Sequence, residues 1–450
     1  MVRVTDMTHG RPIRLILLFS LPLMLGSVFQ QLYTIVDTII IGRGVGMQAL
    51  ASIGAADWIN WLVLWGLQGF TQGFAILAAQ EFGAGAYDRL RRVLAMIVKL
   101  SCWFGIAVTI ISLLLVRPLL TLLHTDPAVF GGAQTYLYVQ FGGSLIIIAY
   151  NMAAAVLRCL GDSRTPLFAI IAASFANIAL DLLFVMGFGW GIFGASFATV
   201  LAQLIAFLLC LRSLRRVPFV QLTKADWKTD PAILLHLCRL GIPTGLQMSM
   251  ITLGGMVLQS VLNGFGVVFV AGYTAANKLY GILESASVAF GYAMTAYMGQ
   301  NRGARNAARI DAGIRAVLVL SAEFTAAIVT AMLVAGKPLL GLFLSTEEAG
   351  AADALAVAYQ YLMVLMAFLF ALFMLQAYRS SLQGLGEMTV PTLSGFAEML
   401  MRMGAALVLP TFIGQSGVFF AEGAAWVCAA ALNLVWYYMR IGKIKRDMLQ

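Results

Sequence analysis

Two acidic side chains lie deep inside apolar stretches of the sequence, where a carboxylate is costly. Asp37 lies in the first stretch and Asp181 in the fifth, and the helical rise places both beyond the midpoint of a membrane span. Tyr33 and Asn177 each precede one of these acids by one helical turn and share its helix face. Thr199, in the sixth stretch, reaches a similar depth. Carboxylate, amide and hydroxyl oxygens together suit a hard monovalent cation, and a carboxylate can also carry a proton.

The predicted chemistry is therefore reversible cation binding. Na⁺ would be held by Asp37, Asn177, Asp181 and Thr199, with Tyr33 beside them, or the two carboxylates would carry H⁺. In the structural alternative, Asp37 caps a helix near its end and Asp181 hydrogen-bonds a neighbouring helix. We favour the coupling site because ionisable residues inside membrane spans usually serve function.

Further charges lie in apolar stretches of the second half. Lys278 and Glu284 are six residues apart and do not share a helix face, and either is predicted to line a substrate cavity. Glu398 and Arg402 are one turn apart and are predicted to neutralise each other. Two more acids, near the ends of stretches, are predicted to be interfacial: Asp57 and Glu422.

The composition identifies lipid as the solvent for most of the chain. Of 450 residues, 61% are hydrophobic and 11% charged, and the mean hydropathy is +0.89. Soluble proteins are about 45–50% apolar and about 25% charged, so a soluble or nucleic-acid-binding globule is excluded. No phosphate-binding loop or nucleophile–base pair is visible, which argues against an enzyme and against a bound cofactor. Five cysteines and three histidines form no metal-ligand or disulfide pattern.

The hydropathy pattern predicts an all-α integral membrane protein with twelve spans. A span needs about 20 apolar residues. The twelve stretches are 15–41, 50–80, 93–116, 132–158, 166–187, 192–212, 235–263, 270–300, 313–335, 355–382, 390–412 and 418–441. Alternating strand patterns are absent.

The distribution of basic residues predicts the orientation. With the N-terminus inside, inner segments carry 22 Lys and Arg residues and outer segments carry three. One of the 22 is Arg379, assigned to an inner loop. The positive-inside rule then places both termini in the cytoplasm of a multi-pass plasma-membrane protein.

The chain repeats itself at an offset of about 220–225 residues. Gln80-Glu81-Phe82-Gly83-Ala84 matches Gln300-Asn301-Arg302-Gly303-Ala304, and the segment 157–166 matches 382–391. We therefore predict two pseudo-symmetric six-helix lobes, residues 1–212 and 235–450, joined by a charged linker at 213–234. Parallel repeats of this kind are typical of secondary transporters, which expose a central site alternately to each side of the membrane.

Three segments resemble signatures of one transporter family. Tyr33-Thr34-Ile35-Val36-Asp37-Thr38-Ile39-Ile40-Ile41-Gly42 is similar to the first-helix signature of multidrug and toxic compound extrusion (MATE) transporters. The segment 69–85 resembles the end of their second helix, and Arg158-Cys159-Leu160-Gly161-Asp162-Ser163-Arg164-Thr165-Pro166 resembles the loop between helices four and five. The resemblance covers the whole chain and is strongest to the DinF-like branch.

The resemblance implies a function and further site residues. It implies two bundles in a V-shaped arrangement and export of cationic or amphipathic compounds in exchange for Na⁺ or H⁺. By motif, it places the coupling residues in the first lobe and adds Gln30 and Asn151, which we expect in the substrate cavity. Another branch of the family uses an acid on helix seven, and the seventh stretch here has none.

Two other functions remain open. A flippase or exporter of lipid-linked or polar metabolites belongs to the same superfamily, but such proteins commonly need extra helices and an arginine-rich cavity. A membrane scaffold or channel would not explain duplicated lobes with acids in one of them. We expect a small-molecule antiporter that acts as a monomer within the bilayer and binds no nucleic acid.

Overall fold

The computed structural model describes residues 4–344 and 350–449, and within these the chain is α-helical without a β-strand. The described residues form thirteen α-helices. They are α1 (Pro12–Gly44), α2 (Met47–Gly83), α3 (Tyr87–Leu122), α4 (Pro127–Gly142), α5 (Ser144–Cys159), α6 (Arg164–Asp181), α7 (Gly191–Leu214), α8 (Pro231–Leu262), α9 (Val267–Gly303), α10 (Ala307–Gly341), α11 (Ala351–Gly384), α12 (Thr389–Ile413) and α13 (Phe420–Leu449).

The number of membrane spans depends on how two features are counted. Within the described residues, ten helices are long and apolar enough to cross a membrane. Helices α4 and α5 form an eleventh span if taken as one helix bent by 50°. The bend falls at Gly142 and Gly143, since adjacent glycines weaken a helix. The remaining predicted span is α9, which has 37 residues like α2 but is less apolar.

The described chain divides into two compact units. Unit 1 contains Leu21–Gly245 and the segment that ends at Asp6, and unit 2 contains Met7–Ser20 and the chain from Leu246 onward. This grouping differs from the predicted lobe boundaries in two places. The first part of α1 belongs to unit 2, and the linker with the first part of α8 belongs to unit 1.

Hydrogen bonds explain why the start of α1 belongs to unit 2. The Met7 amide donates to Gln300 Oε1 at 2.7 Å, and Asn301 donates to the Met7 carbonyl at 3.2 Å. The Ser20 hydroxyl contacts the Ala289 carbonyl at 3.3 Å. Gln300 and Asn301, near the end of α9, therefore bind the chain as it enters α1.

The two sequence repeats adopt the same backbone pattern. Helices α2 and α9 start and end at positions 220 residues apart. Gly46 and Gly266 precede them, both with positive φ (109° and 90°), and Gly161 and Gly386 share positive φ (81° and 73°) at an offset of 225 residues. The helix bounds and the positive-φ glycines thus repeat at the same offsets, 220 and 225 residues, as the sequence motifs.

Helices α2 and α8 cross very closely inside unit 1. A Cβ atom at Gly73 would lie 2.6 Å from the Cα of Gly241, and one at Gly241 would lie 2.1 Å from the Phe74 ring. Gly245, one turn further along α8, packs on Phe70 in the same way. Small residues four apart permit this backbone approach in membrane helices.

Substitution at this crossing should destabilise the protein. Gly73→Ala is expected to cost about 1–3 kcal/mol because its methyl group meets backbone that cannot move aside. Gly54→Ala, also in α2 but with no atom within 4 Å, should be neutral or slightly stabilising. Apparent melting temperatures of the detergent-purified variants test this, and equal values for the two would contradict the packing argument.

The loop before α6 fixes the helix that carries Asn177 and Asp181. Asp162 accepts hydrogen bonds from the backbone amides of Arg164 and Thr165, both at 3.0 Å, and from the Thr165 hydroxyl at 2.6 Å. Its side chain therefore satisfies amides of the first turn that have no partner within the helix.

The linker is attached to α3. Asp226 accepts hydrogen bonds from the amide and hydroxyl of Thr223, both at 2.7 Å, and lies 3.6 Å from Arg91. Lys99 on α3 donates to the Trp227 carbonyl. Burial opposes ionisation of Asp226, but the Thr223 hydrogen bonds and nearby arginine charges outweigh it and lower its pKa.

The lowered pKa gives the linker attachment a pH dependence. Because the folded form favours the ionised carboxyl, the stabilisation is complete near neutral pH and is lost as acidification protonates Asp226. Asp226→Asn should remove it at all pH values and accelerate tryptic cleavage at Lys224 and Lys228. Asp88→Asn, which removes a different Arg91 partner, is the control, and equal cleavage of the two variants would contradict the assignment.

Candidate functional site

One face of α1 carries three of the predicted site residues. Gln30, Tyr33 and Asp37 follow one another at spacings of three and four residues. The hydroxyl groups of Thr34 and Thr38 instead donate to carbonyls one turn earlier in the same helix.

Asp181 is fully buried at the end of α6. A π-helical turn, Leu182–Gly187, follows it directly, and such turns occur often at functional sites. The carboxyl group of Asp181 lies within hydrogen-bonding reach of that of Asp37. Asn177 is buried one turn earlier on the same helix. The structure thus brings together two carboxyl groups that the sequence placed only at similar depth.

These polar groups have unused hydrogen-bonding capacity. In the described part of the chain, Asp37 Oδ1 and both carboxylate oxygens of Asp181 have no donor, and the Asn177 amide has no partner. Nearly all buried polar atoms in native proteins are satisfied. Two ionised carboxylates at this separation also repel each other, and a proton or a cation between them removes that repulsion.

An open cavity lies in unit 1 next to the carboxyl pair, with an empty volume of about 410 Å³ that includes the solvent space at its mouth. It contains four of the predicted residues and three polar residues that the sequence analysis missed, Tyr150, Ser174 and Gln203. Its lining is formed by Gln30, Tyr33, Tyr150, Ile170, Ala173, Ser174, Asn177, Thr199, Ala202, Gln203 and Ala206.

Helix α7 adds oxygen atoms to the cavity. The Thr199 hydroxyl donates to the Ala195 carbonyl at 3.2 Å, which leaves its lone pairs free to accept. Gln203 lies one turn further along, and its buried Oε1 has no donor among the described residues. The helical spacing from Thr199, already a candidate, is the signal that could have identified Gln203.

Asp57 is closer to the carboxyl pair than its predicted interfacial position suggested. Its charge interacts with that of Asp37, and Asn60, one turn later on α2, hydrogen-bonds the Tyr136 hydroxyl at 3.2 Å. The polar region around Asp37 therefore includes α2 and α4 as well as α1 and α6. The shared face of Asp57 and Asn60 was the available sequence signal.

Two predicted cavity residues lie elsewhere. The Asn151 amide donates to the Ile147 carbonyl of its own helix at 2.9 Å, and its neighbour Tyr150 lines the cavity instead. Lys278 is exposed on α9 in unit 2. The family resemblance placed Asn151 in the cavity, whereas the structure lines the cavity with the adjacent side chain, Tyr150.

Unit 2 contains a buried charge network. Arg402 pairs with Glu398 at 3.2 Å, as predicted, and with Glu422 at 2.7 Å, and it donates to the Ile251 carbonyl at 2.9 Å. Arg379 pairs with the other oxygen of Glu398. Arg379 is therefore inside the helical bundle rather than in a loop, and Glu422 is an ion-pair partner rather than an interfacial acid.

Comparisons with known proteins agree with this fold. The family model MatE matches residues 22–183 and 243–408. The chain belongs to the MATE family. A relative, the probable multidrug resistance protein YpnP of Bacillus subtilis, is 32% identical, with 99% of this chain and 98% of that protein covered. The probable multidrug resistance protein YoeA of the same organism is 26% identical, with 95% and 94% covered.

Solved structures show the same architecture. A MATE crystal structure in complex with MaL6 aligns with a TM-score of 0.91 over 99% of this chain and all of that chain, at 24% identity. This protein is thus a multi-pass membrane transporter of the MATE family, and its relatives are named for multidrug resistance. These relatives do not favour the flippase alternative.

Proposed function

We propose that this MATE protein is a secondary antiporter that exports cationic or amphipathic organic compounds in exchange for Na⁺ or H⁺. The observation that carries the proposal is the facing pair of carboxyl groups beside a polar cavity. Asp181 is fully buried and Asp37 is half-buried, and among the described residues Asp37 Oδ1 and both Asp181 oxygens have no donor. An ion that enters this site removes a repulsion that the membrane interior makes costly.

The cavity and the carboxyl pair share helices, which supports coupling between ion and substrate. Gln30 and Tyr33 line the cavity on the same helix face as Asp37, and Asn177 lines it one turn before Asp181. Because α1 and α6 carry both the carboxyl pair and part of the cavity lining, a movement of either helix at the carboxyl pair also moves the cavity lining. Coupling between two ligands is reciprocal, so a substrate in the cavity would alter ion affinity by the same factor.

The ligand chemistry supports Na⁺ as well as H⁺. Asp37, Asn177, Asp181 and Thr199 offer carboxylate, amide and hydroxyl oxygens, which hard cations prefer. For H⁺, one carboxyl group would donate to the other across the same contact. We place both termini in the cytoplasm of a plasma-membrane monomer, in accord with the basic inner segments, and assign the cycle to alternating access.

Flux measurements in proteoliposomes test the proposal. The purified protein should export a fluorescent organic cation when either a Na⁺ gradient or a pH gradient is imposed, and the effective gradient identifies the ion. Flux should saturate with substrate and disappear when the gradient is collapsed. If the flux is the same with a Na⁺ gradient, with a pH gradient and with neither, the protein is not an antiporter.

A further inference from the structure

A stripe of apolar side chains on α3 faces away from the rest of unit 1. Trp103, Ile106, Ile110 and Leu114 follow one another at helical spacing, and each is at least half exposed. An apolar face this exposed on a membrane-spanning helix contacts lipid. Lys99 lies one turn before Trp103 on the same face. It therefore marks the end of the lipid-facing stripe, at the depth where acyl chains give way to headgroups.

The linker between the predicted lobes is attached at this depth. The Lys99 ammonium group donates to the Trp227 carbonyl and, at 2.9 Å, to the Thr229 hydroxyl. The Phe219 ring stacks on that of Phe82 in α2, at a centroid distance of 5.7 Å and an interplanar angle of 24°. The Trp227 ring itself is exposed. Exposed tryptophans at such a position are typical of the interface between membrane and water, so the linker lies at headgroup level.

The charges of this surface do not balance. Asp88 and Asp226 both pair with Arg91. Asp230 accepts hydrogen bonds from two backbone amides in the first turn of α8. All three acids are thus engaged within the protein. Four other bases form no ion pair in the described part of the chain, namely Arg92, Lys99, Lys224 and Lys228.

These unpaired bases lie around the Trp227 ring. Lys224 and Trp227 are the first and last residues of one 3₁₀ turn, in which side chains three apart are aligned, and Lys228 follows directly. Arg92 lies two turns before Lys99 on the same face of α3, and its charge acts on Asp226 of the linker. We define the linker face as Arg92, Lys99, Lys224, Trp227 and Lys228.

We propose that the linker face binds the headgroups of anionic phospholipids. Its ammonium and guanidinium groups are donors for the lipid phosphate, and the excess positive charge favours a headgroup with net negative charge over a zwitterionic one. The lipid-facing stripe of α3 places the acyl chains of the same lipid beside Trp103. In the proposed orientation these lipids belong to the cytoplasmic leaflet. The site requires neither a transported substrate nor an ion gradient, so it does not depend on the proposed function.

Quenching of Trp227 fluorescence by brominated lipids tests the proposal. The full chain is placed in phosphatidylcholine nanodiscs that contain increasing fractions of brominated phosphatidylglycerol or of brominated phosphatidylcholine. The Trp227 signal is the difference between each protein and the same protein with Trp227→Phe. In the wild type, phosphatidylglycerol should reach half-maximal quenching at a mole fraction about tenfold lower than phosphatidylcholine, because several bases act on one headgroup.

Two double variants with the same loss of charge separate the linker face from general attraction to an anionic surface. Lys224→Gln with Lys228→Gln should remove most of the preference for phosphatidylglycerol, and both side chains are exposed, so the fold should be retained. Lys443→Gln with Arg446→Gln removes two exposed bases of α13 and should keep the preference. Raising the salt concentration should weaken the preference in the wild type.

The other outcomes would overturn the site. Equal quenching by the two lipids in the wild type would make Trp227 an ordinary interfacial ring, and quenching by neither would place it in water. An unchanged preference in the linker double variant, or a lost preference in the α13 double variant, would remove the assignment to the linker face. Soluble glycerol phosphate should leave the preference unchanged, and displacement of the lipid by it would show a site for free phosphate instead.

Discussion

Asp181→Asn is expected to abolish gradient-driven export while leaving the protein as stable as the wild type or more stable. Among the described residues the buried Asp181 oxygens have no donor, and an asparagine amide would supply one to Asp37. The variant would thus hold the contact between residues 37 and 181 permanently, whereas a bound ion stabilises this contact only while it is present. We expect a loss of transport of more than about tenfold, as for removal of a functional intramembrane charge.

Asp37→Asn should give the same transport defect, since either change removes one carboxyl group of the pair. Asp353→Asn, an exposed acid in the first turn of α11, is the matched control. Transport is measured in proteoliposomes and stability as the apparent melting temperature in detergent. Full export by both site variants, or a lower melting temperature in Asp181→Asn, would contradict this account of the carboxyl pair.

Arg402→Met should cause the largest stability loss in unit 2. The guanidinium group pairs with Glu398 and Glu422 and donates to the Ile251 carbonyl. Its removal leaves Glu422 buried without a cation, whereas Glu398 keeps Arg379. Breaking a buried pair from one side costs about 3–5 kcal/mol.

A double-mutant cycle shows whether the orphaned acid causes that loss. Adding Glu422→Gln to Arg402→Met should recover part of the stability, because the remaining Arg379–Glu398 pair is neutral. Thermal unfolding of the single and double variants provides the measurement. A double variant less stable than Arg402→Met alone would show that Glu422 has another partner that the ion pair conceals.

The sequence predicted the residues of the carboxyl pair and its neighbours because two properties can be read from a single stretch: the helical periodicity and the free-energy cost of a charged group inside a membrane span. Asp37 and Asp181 stand out as acids in apolar stretches, and one turn of spacing adds Tyr33 and Asn177. The contact between the two carboxyl groups requires α1 and α6 to pack side by side at one register. That register depends on tertiary packing, which no single stretch encodes.

The sequence interpretation differs from the structure where a side chain's position depends on the rotation of its helix about the helix axis, or on an ion-pair partner distant in the sequence. Asn151 and Tyr150 are adjacent, and the backbone orientation of α5 selects Tyr150 for the cavity. Arg379 is typical of a loop by charge, but Glu398 neutralises it inside the bundle. The same applies to Glu422, whose partner Arg402 is twenty residues away on another helix.

The π-helical turn after Asp181 has a mechanical consequence. An α-helix resists bending because each carbonyl is bonded to the amide four residues later, and at Leu182–Gly187 that ladder is replaced by a wider one. In the proposed cycle, loss or gain of charge at Asp181 occurs directly beside the segment that lacks the regular α-helical ladder. We expect a change of backbone direction on ion binding to take place in this segment rather than in the α-helical residues on either side.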